Sequence, residues 1–283
     1  MTNSPKTNES KRGQTPTGLA SKYGPWALIT GASSGIGAEF AKRIAADGVN
    51  VVIAARRIDR LESLAEELRT IHGVAVRPVQ ADLSSVEGID AIEKAVADVD
   101  LAIVVNNAGS ASPGAFLKND VESQLNTIRL NVSAPVEIAH LLGERLINRG
   151  RGAMIFTGST SAFAGVATLA NYAASKAFVG TFAEGLNREW GKQGVDVLVV
   201  HPGPTRTEMV EMDGVDFGAV PMNWMTPEKV ADKAVGSLGR KAVLIPGAMN
   251  KIQRFVFTRL LPRRATSAVW SALMGRVTDE SLR

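Results

Sequence analysis

A doubly wound α/β sheet forming one domain is the fold class this sequence predicts. Short apolar runs recur along almost its whole length. Several show no polar alternation, as expected of strands buried on both faces of a parallel sheet. Segments of helical length and periodicity separate them, giving strand–helix alternation from end to end. At 283 residues the chain can bury a substantial core, and neither a repeat nor an internal linker divides it.

The elements follow in order. Residues 1–22 are polar, rich in Pro, Gly, Ser and Asn, and lack the apolar core of a secretory signal; they read as a flexible extension. The first run is WALIT (26–30), and Phe40, Ala41, Ile44 and Ala45 then recur at helical spacing. After the second run, VNVVIAA (49–55), Leu61, Leu64, Ala65, Leu68 and Ile71 do the same. The others are VAVRPVQ (74–80), LAIVV (101–105), AMIFTG (153–158), VDVLVV (195–200) and AVLIP (242–246). Before the last run, TPEK starts a helix with Thr226 as N-cap and Pro227 at its first position. No run approaches the ~18 apolar residues of a membrane span.

Composition removes several chemistries. There is no cysteine, hence no disulfide, thiol nucleophile or zinc–thiolate site. The three histidines, His72, His140 and His201, are too scattered for a metal cluster, and no metal is expected. The net charge of +4 is uneven: residues 240–283 carry nine Lys/Arg against two acids, a local +7 that leaves −3 for the rest. The basicity belongs to the C-terminal tail.

In sheets of this kind, ligands bind beyond the carboxyl ends of the strands. After the first run comes TGASSGIG, residues 30–37. Gly31 lets the chain leave the strand tightly, Gly35 admits a ligand close to the backbone, and Gly37 brings the next helix near the sheet. With Ser33, Ser34 and Ile36 they form a candidate pyrophosphate cradle at a helix N-terminus. The alternative is a plain glycine-rich strand–helix turn. The second strand ends in Arg56 and Arg57 instead of the acid that would take a ribose 2′-OH. Two guanidiniums suit a 2′-phosphate, with Arg56 the better placed, so the cofactor read here is NADP(H) rather than NAD(H). At the third strand end, Asp82 could accept from an adenine amino group with Leu83 beside the ring. Equally, Asp82 or Ser84 could simply cap the next helix. The fourth strand ends in NNAG (106–109), where Asn107, Ala108 and Gly109 complete the cofactor-facing set and the Asn pair must find partners.

TGASSGIG, NNAG, YAASK (172–176) and HPGPTRT (201–207), in this order and at these separations, resemble the short-chain dehydrogenase/reductase family over roughly residues 23–246. The resemblance implies a single Rossmann-like domain with a seven-stranded parallel sheet and a nicotinamide cofactor. It further implies a catalytic tetrad, carried here by Asn131, Ser159, Tyr172 and Lys176. The family often shows two adjacent serines at the fifth strand end; here the first is Gly158. Tyr172 and Lys176 lie four apart, on one face of a helix. An ammonium there favours the phenolate and lowers a phenol pKa of ~10 toward the working range. Tyr172 would serve as the proton donor, Ser159 would hydrogen-bond the developing oxyanion, Lys176 would also hold the nicotinamide ribose, and Asn131 would position a water joining the lysine to solvent. Ala173, Ala174 and Ser175 leave room for cofactor and substrate. Pro202, Gly203 and Thr205 are expected at the nicotinamide end, Thr207 at the cofactor's phosphate or carboxamide region, and His201 reads as a satisfied strand-end residue.

A substrate loop is expected at about 207–228, carrying Met209, Met212, Met222, Met225, Phe217 and Trp224, with Ala162 and Phe163 adding to an apolar wall. The catalytic domain then spans 23–249, and 250–283 is a basic amphipathic helical tail. One stripe of it carries Ile252, Phe255, Val256 and Leu260, and another Val269, Trp270, Leu273 and Met274. Such a tail can pack on the body or a partner, cover the site, or lie on an anionic membrane; packing is the favoured reading. Nothing marks a nucleic-acid site. The function expected is that of a cytoplasmic carbonyl reductase, or the corresponding alcohol dehydrogenase, acting on a small apolar ketone, aldehyde or alcohol. The family resemblance implies a homodimer or homotetramer. The competing reading is an NADPH-binding sensor or interaction protein with little turnover.

Overall fold

The computed structural model describes residues 18–211, 215–217 and 222–282, and in it the seven apolar runs pair into one parallel sheet. The strands are β1 (Trp26–Thr30), β2 (Asn50–Ala55), β3 (Val76–Gln80), β4 (Leu101–Asn106), β5 (Gly152–Thr157), β6 (Val195–Val200) and β7 (Val243–Leu244), in the order β3-β2-β1-β4-β5-β6-β7. Order reverses between β1 and β4, leaving a crevice at their carboxyl ends.

Alternation along each strand sends residues to two separate cores. Ala27, Ile29, Val51, Ile53, Ile103, Val105, Leu198 and Val200 face one layer. There they meet Phe40, Ala41 and Ile44 of α2 (Gly35–Ala46), Leu61, Leu64 and Leu68 of α3 (Ile58–His72) and Val230 and Ala234 of α8 (Pro227–Val235). Leu28, Val52, Val104, Met154, Phe156 and Val197 face the other. Their partners are α4 (Val86–Val96), α6 (Ala134–Asn148) and α7 (Ala170–Trp190). Both faces of the sheet are therefore covered, which is why its central strands are apolar without alternation.

Local chemistry sets the helix ends. Gly73, at φ +66°, closes α3 through its N–H to the Arg69 carbonyl. Ser85 caps α4 by accepting from Gly88 N–H, and Asp120 caps α5 (Val121–Ile128) by accepting from Ser123 N–H. Thr226 and Pro227 occupy the expected first positions of α8, although the Thr226 side chain makes no cap bond. Two expectations change. Residues Gly18–Lys22, at the end of the expected extension, form the short helix α1 with Leu19 buried in the first core. Ile71, expected on the buried face of α3, lies in its last turn and is 63% exposed. Residues 1–17 of the extension lie outside the described residues.

The C-terminal stripes have different fates. In α9 (Ala248–Phe255) and the wide turn Val256–Leu260 that continues it, Ile252, Phe255 and Leu260 are exposed. In α10 (Arg263–Val277), Met274 and Val277 are buried and Trp270 and Leu273 pack beside them, while Val269 faces outward. No helix among the described residues is long and apolar enough to cross a membrane.

Candidate active site

The carboxyl ends of β1, β4 and β5 are tied together by Thr30 and Asn107. Thr30 Oγ1 accepts from the Asn107 and Ala108 N–H groups at 3.0 and 3.1 Å. The Asn107 amide donates to the Thr30 carbonyl at 3.1 Å and accepts from Thr157 Oγ1 at 3.2 Å. Asn106 behaves otherwise: its side chain is buried and finds no hydrogen-bond partner among the described residues. The sequence expected both asparagines to find partners, but only Asn107 points between strand ends.

Gly31, Ser33, Ser34, Gly35 and Ile36 line a cleft of about 350 Å³ together with Arg56, Arg57, Asp82, Leu83, Asn107, Ala108 and Gly109. Gly31 is left-handed at φ +67°, and a Cβ on it would lie 2.8 Å from Ala108 Cα. Gly37 does not line the cleft; a Cβ there would collide with the Gly31 carbonyl, so its role is to seat α2 against the turn. The arrangement fits a dinucleotide. Glycines expose the backbone at the start of α2, and Arg56, exposed, makes no hydrogen bond or short ion pair through its side chain among the described residues. Arg57 is already engaged, donating to Ser33 and Ser34 and pairing with Glu208 at 2.8 Å. Glu208, which also pairs with Arg60, was not anticipated; the two guanidiniums hold its pKa down to about 2. Asp82 Oδ1 accepts from Ser84 N–H and Oγ in a local turn, and the cap of α4 is Ser85, not Asp82 or Ser84.

At the far end of the cleft Ser159, Tyr172 and Lys176 converge. Ser159 Oγ accepts from Ser161 N–H and Oγ at 3.2 and 2.9 Å, and Ser159 and Tyr172 line the cleft together. Lys176, buried on α7 one turn after Tyr172, donates to the Thr157 carbonyl at 2.9 Å. Its Nζ lies 5.8 Å from the Tyr172 ring centre. Burial lowers the Lys176 pKa to about 8. Burial also raises that of Tyr172, opposed by the nearby Ser159 hydroxyl. The sequence argument expected the lysine to acidify the phenol. In the structure desolvation of the ring prevails, and the group that opposes it is Ser159. Asn131 sits in a widened helical turn, Arg129–Ser133. Its amide bonds both the N–H and the carbonyl of Ser110 and donates to Ser175 Oγ at 3.0 Å. Gly109 keeps this corner open: a Cβ there would lie 3.1 Å from Asn131 Oδ1 and 3.2 Å from Lys176 Nζ. Ala173 packs in the core and Ser175 is bonded to Asn131, whereas Ala174 faces away from the cleft and is exposed.

Beyond these groups the cleft opens into an apolar chamber. Pro202, Gly203, Thr205 and Thr207 line its floor, and Val166, Leu169, Met209, Phe217, Met222, Trp224, Trp270 and Met274 its walls and roof. Met225 is not among them; it is buried against the sheet, its sulfur 3.6 Å from Asn250 Nδ2. Met212 lies outside the described residues. Phe163 turns away from the chamber, its ring centre 5.0 Å from that of His201, and neither it nor Ala162 forms the expected wall. The sequence missed Trp270 and Met274 as roof residues, although the stripe containing them was visible. The end of α10 is fastened over the chamber: Thr278 bridges Val215, and Ala115 N–H donates to the Leu282 carbonyl. Among the described residues no cluster of acids and histidines could hold a metal.

A family profile described as short chain dehydrogenase matches residues 25–215. The chain is 31% identical over 236 residues to a 7beta-hydroxysteroid dehydrogenase of Mediterraneibacter gnavus, covering 82% of this chain and 90% of that one. It is 33% identical over 199 residues to the mouse 17-beta-hydroxysteroid dehydrogenase type 3, matching 69% of this chain but 65% of that longer protein. A structure described for its 7beta-hydroxysteroid dehydrogenase stereoselectivity superposes with a TM-score of 0.84 at 30% identity, covering 90% of this chain and 99% of that one. A short-chain dehydrogenase of Sphingobium yanoikuyae in complex with NADPH gives 0.73 at 37% identity, covering 78% and 87%. With the sheet order, the glycine turn and the Ser–Tyr–Lys corner, these matches establish that the chain belongs to the short-chain dehydrogenase/reductase family, Rossmann-fold oxidoreductases that use a nicotinamide cofactor on hydroxyl and carbonyl groups.

Proposed function

We propose that the protein is an NADPH-dependent reductase of bulky, apolar ketones or aldehydes, or the dehydrogenase of the matching alcohols. One observation carries this reading: Ser159, Tyr172 and Lys176 stand where a glycine-lined groove bordered by the exposed Arg56 meets a chamber roofed by Phe217, Met222, Trp270 and Met274. The kinship with hydroxysteroid dehydrogenases supports a rigid, bulky substrate, as does a TM-score of 0.71 to a bulky-bulky ketone specific alcohol dehydrogenase of Comamonas testosteroni.

In this reading Gly31, Ser33, Ser34, Gly35 and Ile36 hold the pyrophosphate, and Gly37 keeps α2 close behind it. Arg56 and Arg57 take the 2′-phosphate, Asp82 and Leu83 border the adenine, and Asn107, Ala108 and Gly109 flank the ribose path. Pro202, Gly203, Thr205 and Thr207 border the nicotinamide, which supplies or receives the hydride. Tyr172 donates the proton to the carbonyl oxygen, and Ser159 hydrogen-bonds that oxygen as charge develops. Lys176 supports the phenol and the adjoining ribose, and Asn131 holds the Ser110 and Ser175 segments around it. A homodimer is consistent with the exposed Phe116, Leu117, Val121, Leu125 and Phe178.

The experiment is NADPH oxidation across bulky ketones, including oxosteroids, beside Tyr172→Phe. The variant should bind NADPH normally and lose about 10²–10⁴-fold in rate. Unchanged turnover in the variant would remove Tyr172 from the chemistry. NADPH binding without turnover on any ketone would favour a sensor.

A further inference from the structure

His201 is a buried titratable group for which the chemistry above has no use. It follows β6 directly and is 2% exposed, and burial pushes its pKa down to about 4, so the ring is neutral at pH 7. Its main-chain N–H is fixed by the Leu244 carbonyl of β7 at 2.8 Å. The ring turns toward β5. Three consecutive N–H groups beyond that strand find partners on residues 200–202: Gly158 on the Val200 carbonyl at 2.7 Å, Ser159 on His201 Nδ1 at 3.2 Å, and Thr160 on the Pro202 carbonyl at 2.9 Å. The middle contact is supplied by a side chain. The same Nδ1 lies 3.0 Å from the Ser159 carbonyl, and in the tautomer whose Nε2 carries the proton it accepts from the Ser159 N–H.

Room for the ring comes from two glycines. A Cβ at Gly158 would stand 2.5 Å from Nδ1 and 2.8 Å from Cε1, and one at Gly180 would stand 2.9 Å from Cε1. The remaining side is closed by Phe163, whose ring is covered in turn by the Arg254 guanidinium at 5.2 Å. Gly158, the departure from the family's paired serines, thus coincides with the imidazole that needs its space.

We propose that His201 is a positioning residue that clamps the Ser159 main chain so that its hydroxyl faces Tyr172, with Gly158 and Gly180 as the space the clamp requires. The proposal rests on the role given above to Ser159. Three variants test it. His201→Leu removes the nitrogens at similar bulk, His201→Asn returns a polar atom near Nδ1, and Gly158→Ser, alone and with His201→Ala, tests the space. Amide exchange at Ser159, read by NMR on the cofactor-free protein, needs no turnover and therefore separates this idea from the assignment of activity. Exchange should be at least about tenfold faster in His201→Leu and near parental in His201→Asn. On the bulky ketone the parent turns over best, His201→Leu should lose about 10–100-fold in kcat, with KM and the NADPH dissociation constant within about threefold. His201→Asn should recover most of that loss, and Gly158→Ser should be rescued by His201→Ala. Unchanged Ser159 exchange in His201→Leu would overturn the clamp, as would His201→Asn failing as badly as His201→Leu. A double variant no better than Gly158→Ser would overturn the pairing of glycine and ring.

Discussion

Lys176 carries a buried ammonium whose hydrogen-bond partner is the Thr157 carbonyl, and its pKa is lowered from 10.5 to about 8. The charged form is therefore disfavoured by folding. Because the folded value lies below the unfolded one, the unfolded chain holds the extra proton between the two, and stability rises with pH across that window. At pH 7 the burden is roughly 3 kcal/mol, at about 1.4 kcal/mol per factor of ten; by pH 10 less than about 1 kcal/mol remains. Lys176→Met abolishes the titration and keeps an apolar stem. It also leaves the Thr157 carbonyl unpaired, at about 1–3 kcal/mol, but that penalty does not change with pH. The stability difference between variant and parent should therefore move by about 2 kcal/mol from pH 7 to pH 10, equivalent to about 4–8 °C in Tm. Calorimetry on both cofactor-free proteins at the two pH values makes the measurement. The variant should gain most at pH 7, even though it loses activity. A difference constant within about 0.5 kcal/mol would refute the argument, because it would mean that Lys176 carries no buried-charge cost.

Arg56→Ala should weaken NADPH binding by about 10–100-fold and NADH binding by less than about threefold, measured by fluorescence titration; equal losses would sink the 2′-phosphate assignment. Thr168 is the non-glycine residue at positive φ, +64°, among those described. Thr168→Gly should raise stability in urea unfolding by about 0.5–1 kcal/mol, and a loss would show that its hydroxyl outweighs the strain. Trp270→Ala should raise KM for bulky ketones about tenfold with NADPH affinity unchanged, and equal effects on small and bulky ketones would take Trp270 out of the roof.

The sheet was readable because its strands are buried on both faces and punctuated by glycine turns, so all seven apolar runs fall on strands. The groove was readable for the same reason: Gly31, Gly35 and Gly109 mark places where the backbone itself is the surface. Side-chain direction was harder. Phe163 and Met225 are apolar residues next to the site, yet one turns to His201 and the other into the core, and local sequence does not encode that choice. Trp270 and Met274 lie about 100 residues beyond Tyr172, and the fold-back of α10 brings them over the chamber. The Tyr172 pKa escaped for a different reason, since spacing reports that Lys176 is near but not how thoroughly both are desolvated.

The way α10 is fastened has an evolutionary side. Its roof residues belong to a stretch that adds no strand to the sheet, and that stretch is tethered at its far end by the Thr278 bridge and the Leu282 carbonyl. Drift in this segment can reshape the ceiling while the Ser159–Tyr172–Lys176 corner keeps its geometry. Exchanging residues 263–282 between relatives should therefore transplant substrate preference as a cassette, leaving the reaction itself where it was.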